Sequence, residues 1–262
     1  MNPFTDSLPS EIPLPRAPLV RVLCQIRFPA VLSVESQEFA APFQEELRQQ
    51  YPILRQEQST GLAIGPSGVV PAKSETAWRF HDLANDWRVS LSPTFVALET
   101  TKYPGRQAFL ERLLAVVVAA ERHVKPAVVD RIGLRYLDRL SEEAMQKLPE
   151  LVRPEILGIA ATEVNAQVSH SVTETVFEVG SAQMMARWGQ IPAMATMDPD
   201  LMQPIDRPSW ILDLDIFTKE GEATSFIAND VLTKVRGFAE RIHSVFRWCV
   251  TEEFLRYYGG EI

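Results

Sequence analysis

The sequence predicts an α+β fold: two strand–helix–antiparallel strands–helix units forming one curved antiparallel sheet, with the helices packed on one face. Three observations lead there. Short runs of apolar residues alternating with polar ones occur in both halves of the chain, the mark of half-buried strands. Each half also holds runs with three- and four-residue apolar spacing, the mark of amphipathic helices. Turn residues and prolines separate these runs in the same order twice.

Residues 1–18 are an extended lead-in, because Pro3, Pro9, Pro13, Pro15 and Pro18 forbid a helix. Residues 19–258 form a single domain of two pseudo-repeats, about 19–124 and 127–258. In the first, Val20, Val22, Cys24, Ile26 and Phe28 alternate along a strand that Pro29 ends. Ser36 caps a helix over 36–50 whose face carries Phe39, Phe43 and Leu47. Gly61–Val70 reads as a weak strand and a turn. Trp78 and Phe80 point one way along the next strand, with Arg79 and His81 opposite. Asn85–Asp86 supplies a turn. Trp87, Val89 and Leu91 follow, with Arg88, Ser90 and Ser92 opposite, and Phe95–Thr101 returns. Pro104–Gly105 opens a helix with Phe109, Leu113, Val116, Val117 and Ala120 on one face.

In the second half Arg131–Leu137 is a strand. A helix begins at Ser141, with Glu142 and Glu143 suited to its N-terminus, and stops before Pro154. Strands follow at Val168–Phe177 and Gln183–Trp188. Residues 190–208 have no period and form a loop. Trp210, Leu212, Leu214 and Ile216 alternate with Asp213 and Asp215. One long helix runs from about Ser225 to Tyr258.

Composition narrows the function. The net charge is −8, and the acidic excess lies in the second half. That disfavours duplex nucleic acid as the main partner, since phosphate contacts call for a basic face. The two cysteines, Cys24 and Cys249, sit in apolar patterns and suit a reducing cytoplasm. Neither a signal peptide nor a membrane span is read: the start is proline-rich, and Leu113–Ala120 is too short to cross a bilayer.

Four stretches carry a resemblance. They are Arg131-Ile132-Gly133-Leu134-Arg135-Tyr136, Leu212-Asp213-Leu214-Asp215-Ile216-Phe217, Tyr103-Pro104-Gly105 before the Phe109 helix, and the last helix with His243, Phe246, Thr251 and Glu252. The chain resembles a sporadically distributed family of uncharacterised prokaryotic proteins of about this length. The resemblance implies no catalytic residues; its scattered distribution suits defence or toxin-neutralising modules. Asp138 stands where the resemblance leads us to expect an amide. The element order also resembles the duplicated topology of the TATA-binding protein, which implies architecture and not function.

Two sets of residues carry candidate chemistry. Asp213 and Asp215 share a strand face, as do Arg131 and Arg135 around Gly133. Arg79, His81 and Arg88 add to the same face from neighbouring strands. Arginines suit phosphate or carboxylate recognition, and paired acids suit a divalent ion or acid–base work. The other reading pairs these arginines with Asp213 and Asp215 across the sheet. The second set is Met194, Met197, Leu201 and Met202 in the long loop, which suit an adaptable partner surface. No nucleophile–base pair, metal-ligand spacing or phosphate loop is read, so neither cofactor nor metal is implied. The expected function is non-enzymatic: holding a protein partner, with homodimerisation possible. The alternative is an enzyme or sensor that binds a phosphorylated small molecule on the Arg/Asp face.

Overall fold

The computed structural model describes residues 2–59, 62–65, 68–71, 75–219, 221 and 223–262. The fold is α+β. The strands are β1 (Leu19–Arg27), β2 (Ile53–Ser59), β3 (Leu62–Gly65), β4 (Gly68–Pro71), β5 (Glu75–His81), β6 (Trp87–Ser92), β7 (Phe95–Thr100), β8 (Val128–Val129), β9 (Arg131–Leu140), β10 (Ser171–Val179), β11 (Ala182–Ile191), β12 (Ser209–Thr218) and β13 (Thr224–Ser225). The helices are α1 (Gln37–Leu47), α2 (Arg106–Ala119), three one-turn pieces α3 (Glu143–Gln146), α4 (Leu148–Leu151) and α5 (Pro154–Leu157), then α6 (Ala228–Cys249) and α7 (Glu252–Tyr257). Nine strands form one antiparallel sheet in the order β10-β11-β12-β9-β1-β7-β6-β5-β2. By compactness the chain divides into two units. Unit one is Met1–Val22, Leu134–Thr218 and Arg236–Ile262; unit two is Leu23–Gly133 and Lys219–Val235.

In unit two the period-2 pattern fixes which side chains meet the helices. Trp78 and Phe80 lie opposite Leu91 and Val89 across β5 and β6. Phe80 meets Phe43 of α1, with ring centroids 5.7 Å apart. Trp87 stacks on Phe109 of α2 at 5.9 Å, and the Arg112 guanidinium lies 4.4 Å from the Trp87 ring. The Trp78 indole donates to the Val34 carbonyl oxygen at 2.7 Å, so this buried N–H is paired. The turn read at Asn85–Asp86 is held by the Asp82 carboxylate, which accepts from the Asp86 and Trp87 amides at 2.8 and 3.1 Å. Of the stretch read as a weak strand and turn, Leu62–Gly65 and Gly68–Pro71 pair as β3 and β4; Gly61 and residues 66–67 lie outside the described residues.

In unit one, Met184 and Ala186 of β11 lie opposite Ile216 and Leu214 of β12, all buried. Ile242, Val245 and Cys249 of α6 are buried too. Two helix readings need correction. The helix expected from Ser141 to just before Pro154 is two short turns, α3 and α4, because Pro149 restarts the backbone and Glu142 takes a left-handed φ of 55°; a third turn, α5, starts at Pro154 itself. The single helix expected to reach Tyr258 breaks at Val250, which forms a β-bridge with Val152. Thr251 then caps α7: its hydroxyl accepts from the Phe254 amide at 3.2 Å and donates to the Glu150 carbonyl at 2.6 Å.

The N-terminal segment is tied to α6 and α7. Arg241 donates to the Pro3 carbonyl and Arg247 to that of Ser10. Arg16 donates to the Tyr257 carbonyl through its side chain and to the Tyr258 carbonyl through its amide. The segment's first turn is preformed, since the Asp6 carboxylate accepts from the Asn2 amide at 2.7 Å and the Asn2 side chain from the Phe4 amide at 2.9 Å.

Candidate functional site

Of the predicted charged residues, Arg135 and Asp213 meet. The Arg135 Nε and NH2 groups donate to the two Asp213 carboxylate oxygens at 2.7 and 2.8 Å, and its NH1 donates to Asp198 at 2.9 Å. Arg187, directly opposite Asp213 in the β11–β12 register, donates to the same carboxylate at 2.6 and 3.0 Å. Asp213 is 1% exposed, so a lone carboxylate there would be costly. Burial opposes the Arg135 charge, but the Asp213 bonds and charge outweigh it and raise its pKa further. All three Arg135 nitrogens are committed within the protein, which makes this cluster a structural ion-pair network. Sequence reasoning missed Arg187 and Asp198. Arg187 lies on a strand read correctly, but cross-strand register was not legible; Asp198 sits in the loop, where no period places it.

Arg131 lies back along its own strand, over Gly133. A Cβ at Gly133 would stand 3.3 Å from its NH1 atom. Asp138, on the opposite face of β9 from Arg135, is 5% exposed. Desolvation first, and the Asp213 charge second, push its carboxyl up to about 7. Near neutrality the protonated and ionised forms coexist, and the protonated carboxyl offers one donor and one acceptor, as an amide does.

Arg79, His81 and Arg88 are not on strands next to that of Arg131 and Arg135, as the sequence reading expects: β1 and β7 come between β9 and their strands β6 and β5. The three share the face of the unit-two strands that points away from Phe80 and Trp87. His81 lies opposite Arg88, and Arg79 opposite Ser90. Arg88 donates to Glu99 at 2.8 Å and Arg79 to Glu57 at 3.2 Å. His81, Ser90, Ser92 and Glu99 are buried. The His81 Nε2, Arg88 Nε, Ser90 Oγ and Ser92 Oγ atoms are shielded from solvent and have no hydrogen-bond partner among the described residues. Burial, then the Arg55 and Arg88 charges, lower the His81 pKa, so its ring is neutral near pH 7.

The loop residues divide. Met194 is 71% exposed, with a φ of 60°, and Met197 is half-buried. Leu201 and Met202 are buried: the Arg21 Nε donates to the Leu201 carbonyl at 3.0 Å, and the Arg139 Nε to the Met202 sulfur at 3.1 Å. The Met-rich stretch is thus packed at its C-terminal end and open at Met194.

Strand β10 stands at one end of the sheet order, and among the described residues no strand pairs with its outer edge. Its sequence SVTETVFEV holds two acids, no basic residue and no proline. Val176 is 50% exposed. Gly189 seats β10 on β11: a Cβ there would lie 1.9 Å from the Ser171 carbonyl oxygen, and its φ of +144° suits only glycine. Beside the edge lies a cleft of about 280 Å³ lined by Asn2, Pro3, Phe4, Phe177, Val245 and Trp248.

Compared with known proteins, the sequence matches no family model and no curated protein. Among the described residues no helix is long and apolar enough to cross a membrane, and no cluster of His, Cys, Asp and Glu is arranged to hold a metal ion.

Proposed function

We propose that the protein is a non-catalytic binding protein that holds a protein partner as an added strand along β10. One observation carries this: a nine-residue edge strand, rich in β-branched residues, has no strand paired with its outer edge among the described residues. Folded proteins blunt such edges with lysine, proline, a bulge or a covering segment, because open N–H and C=O groups recruit another chain. Strand addition is a recurring mode of peptide recognition. Glu174 and Glu178 lie two alternations apart on one face of β10, so a basic strand complements them. A basic partner, such as a nucleic-acid-acting toxin or enzyme under restraint, suits the net charge of −8 and a role in defence or toxin neutralisation. Outward from the central β9 and β1 the sheet runs β12-β11-β10 one way and β7-β6-β5-β2 the other, which supports reading the chain as an internal duplication.

The test is affinity purification from the native host with the wild-type chain, the edge variant Val176→Lys and the control Leu83→Lys, whose parent side chain is 83% exposed. The reading expects one basic partner that is retained by wild type and control and lost by the edge variant. A partner equally retained by all three overturns it.

A second reading is binding of a phosphorylated small molecule on the polar face of unit two. It is favoured by four buried polar atoms, on His81, Arg88, Ser90 and Ser92, that have no partner among the described residues. Hydroxyl and guanidinium N–H groups donate to phosphate oxygens, and a neutral imidazole donates from one nitrogen. Under this reading a screen of phosphorylated metabolites raises the melting temperature of the wild type, and not of the double variant Ser90→Ala/Ser92→Ala.

A further inference from the structure

We infer that the partner strand carries one large apolar side chain, aromatic or Leu/Met-sized, that enters the cleft beside Phe177, between basic residues that face Glu174 and Glu178. This rests on the strand-addition reading above. Side chains alternate along β10. Phe177 shares its face with Thr173, Thr175 and Val179, and its ring lies 4.9 Å from that of Phe4. Val172, Glu174, Val176 and Glu178 point to the other face. A tenth strand would lie about 4.8 Å beyond β10. Its residue opposite Phe177 would project on the same side as Phe177, where Phe4, Val245 and Trp248 wall the cleft. The residues on either side of that anchor would stand opposite Val176 and Glu178, on the face of the two acids: one meets Glu178, which already accepts from the Gln183 side chain at 2.9 Å, and a long side chain opposite Val176 reaches Glu174 diagonally. The result is a basic–apolar–basic pattern, with backbone pairing giving affinity and the cleft giving specificity.

The cleft is built before the partner arrives. Phe4 is held by the hydrogen-bonded turn Asn2–Asp6, and the Pro3 carbonyl by Arg241, so little ordering is left for binding. A second copy of the chain fits less well. Self-pairing of β10 about Thr175 would put Thr173 opposite Phe177 and leave the cleft unfilled, and it would gather four carboxylates with no basic residue among them.

The experiment pans a displayed library of random nine-residue peptides on the full chain and keeps those that Val176→Lys fails to bind. The expected consensus alternates Lys or Arg with one intervening Phe, Trp, Leu or Met. Replacing that anchor by Ala in the synthetic consensus peptide should weaken binding about 10-fold or more. Trp248→Ala and, separately, Phe4→Ala should remove most of that preference while leaving the anchor-less peptide's affinity unchanged. Both parent side chains are only half-buried, and thermal melts check that each variant folds. A basic consensus with no apolar anchor, or an anchor effect that ignores both variants, overturns this inference and leaves the edge reading standing. No peptide sensitive to Val176→Lys overturns both. A concentration-dependent dimer abolished by Val176→Lys also overturns it, in favour of a second copy on the edge.

Discussion

Asp213 sits between Arg135 and Arg187 and accepts two hydrogen bonds from each, all within 3.0 Å. The three residues come from neighbouring strands β9, β12 and β11. The carboxylate is buried and both arginines are mostly so. Removing the acid therefore takes both carboxylate bonds from Arg187 and leaves Arg135 with its bond to Asp198.

Asp213→Asn is expected to destabilise the protein by about 3–5 kcal/mol, the usual cost of breaking a buried pair. Urea unfolding measures it. Arg207→Gln removes exposed pairs with Asp206 and Glu142 and should leave the urea midpoint close to that of wild type. Equal effects from the two variants would mean that the buried network carries no special weight.

Gly189→Ala should loosen β10. The new Cβ would collide with the Ser171 carbonyl, and the left-handed φ adds strain of about 1–3 kcal/mol. Hydrogen exchange should speed up in Ser171–Val179 more than in β12. Uniform protection across both strands would refute the role given to Gly189.

The Asp138 carboxyl titrates near pH 7 in the folded chain against an ordinary value of 3.8. The native state therefore holds this proton more tightly than the unfolded one. Its contribution to stability is fully present below about pH 4, declines as pH rises, and is lost above about pH 7. The full swing is at most about 4 kcal/mol. Asp213, Cys249 and Tyr258 are the acidic groups coupled to it, and the Cys249 thiol is itself pushed up to about 12 by burial. The difference in stability between wild type and Asp138→Asn, followed from pH 4 to 8, should move in favour of the variant as pH rises. A flat difference would count against the buried neutral carboxyl.

Ser90→Ala and Ser92→Ala remove buried hydroxyls with no partner among the described residues. Each should be neutral or stabilising by up to about 1 kcal/mol in the unliganded protein, since the desolvation cost goes with the hydroxyl. A loss above about 1 kcal/mol in thermal or urea unfolding would show that these groups are already paired.

Met202→Ser should cost about 2–4 kcal/mol, because the side chain is 2% exposed and its sulfur meets Arg139. Met194→Ser should be silent in the same unfolding measurement, as its side chain is 71% exposed. The two residues look alike in the sequence; their burial separates them.

The sequence by itself determined the α+β class, most strands and the face each side chain takes, because period-2 and period-3.6 patterns are local and burial on one side enforces them. Trp87, Val89 and Leu91 were legible as an inward set and Arg88, Ser90 and Ser92 as the opposite one for that reason. Helix ends were less legible: the break at Val250 depends on a bridge to Val152, nearly a hundred residues away. Tertiary structure alone decided which arginine meets which acid, since strand order and register put Arg187 and Arg135 on either side of Asp213. It also decided that Met202 is core while Met194 is surface, and that β10 ends the sheet beside a cleft walled by Phe4 and Trp248. Pairing and packing of distant segments fix these features, and no local pattern encodes them.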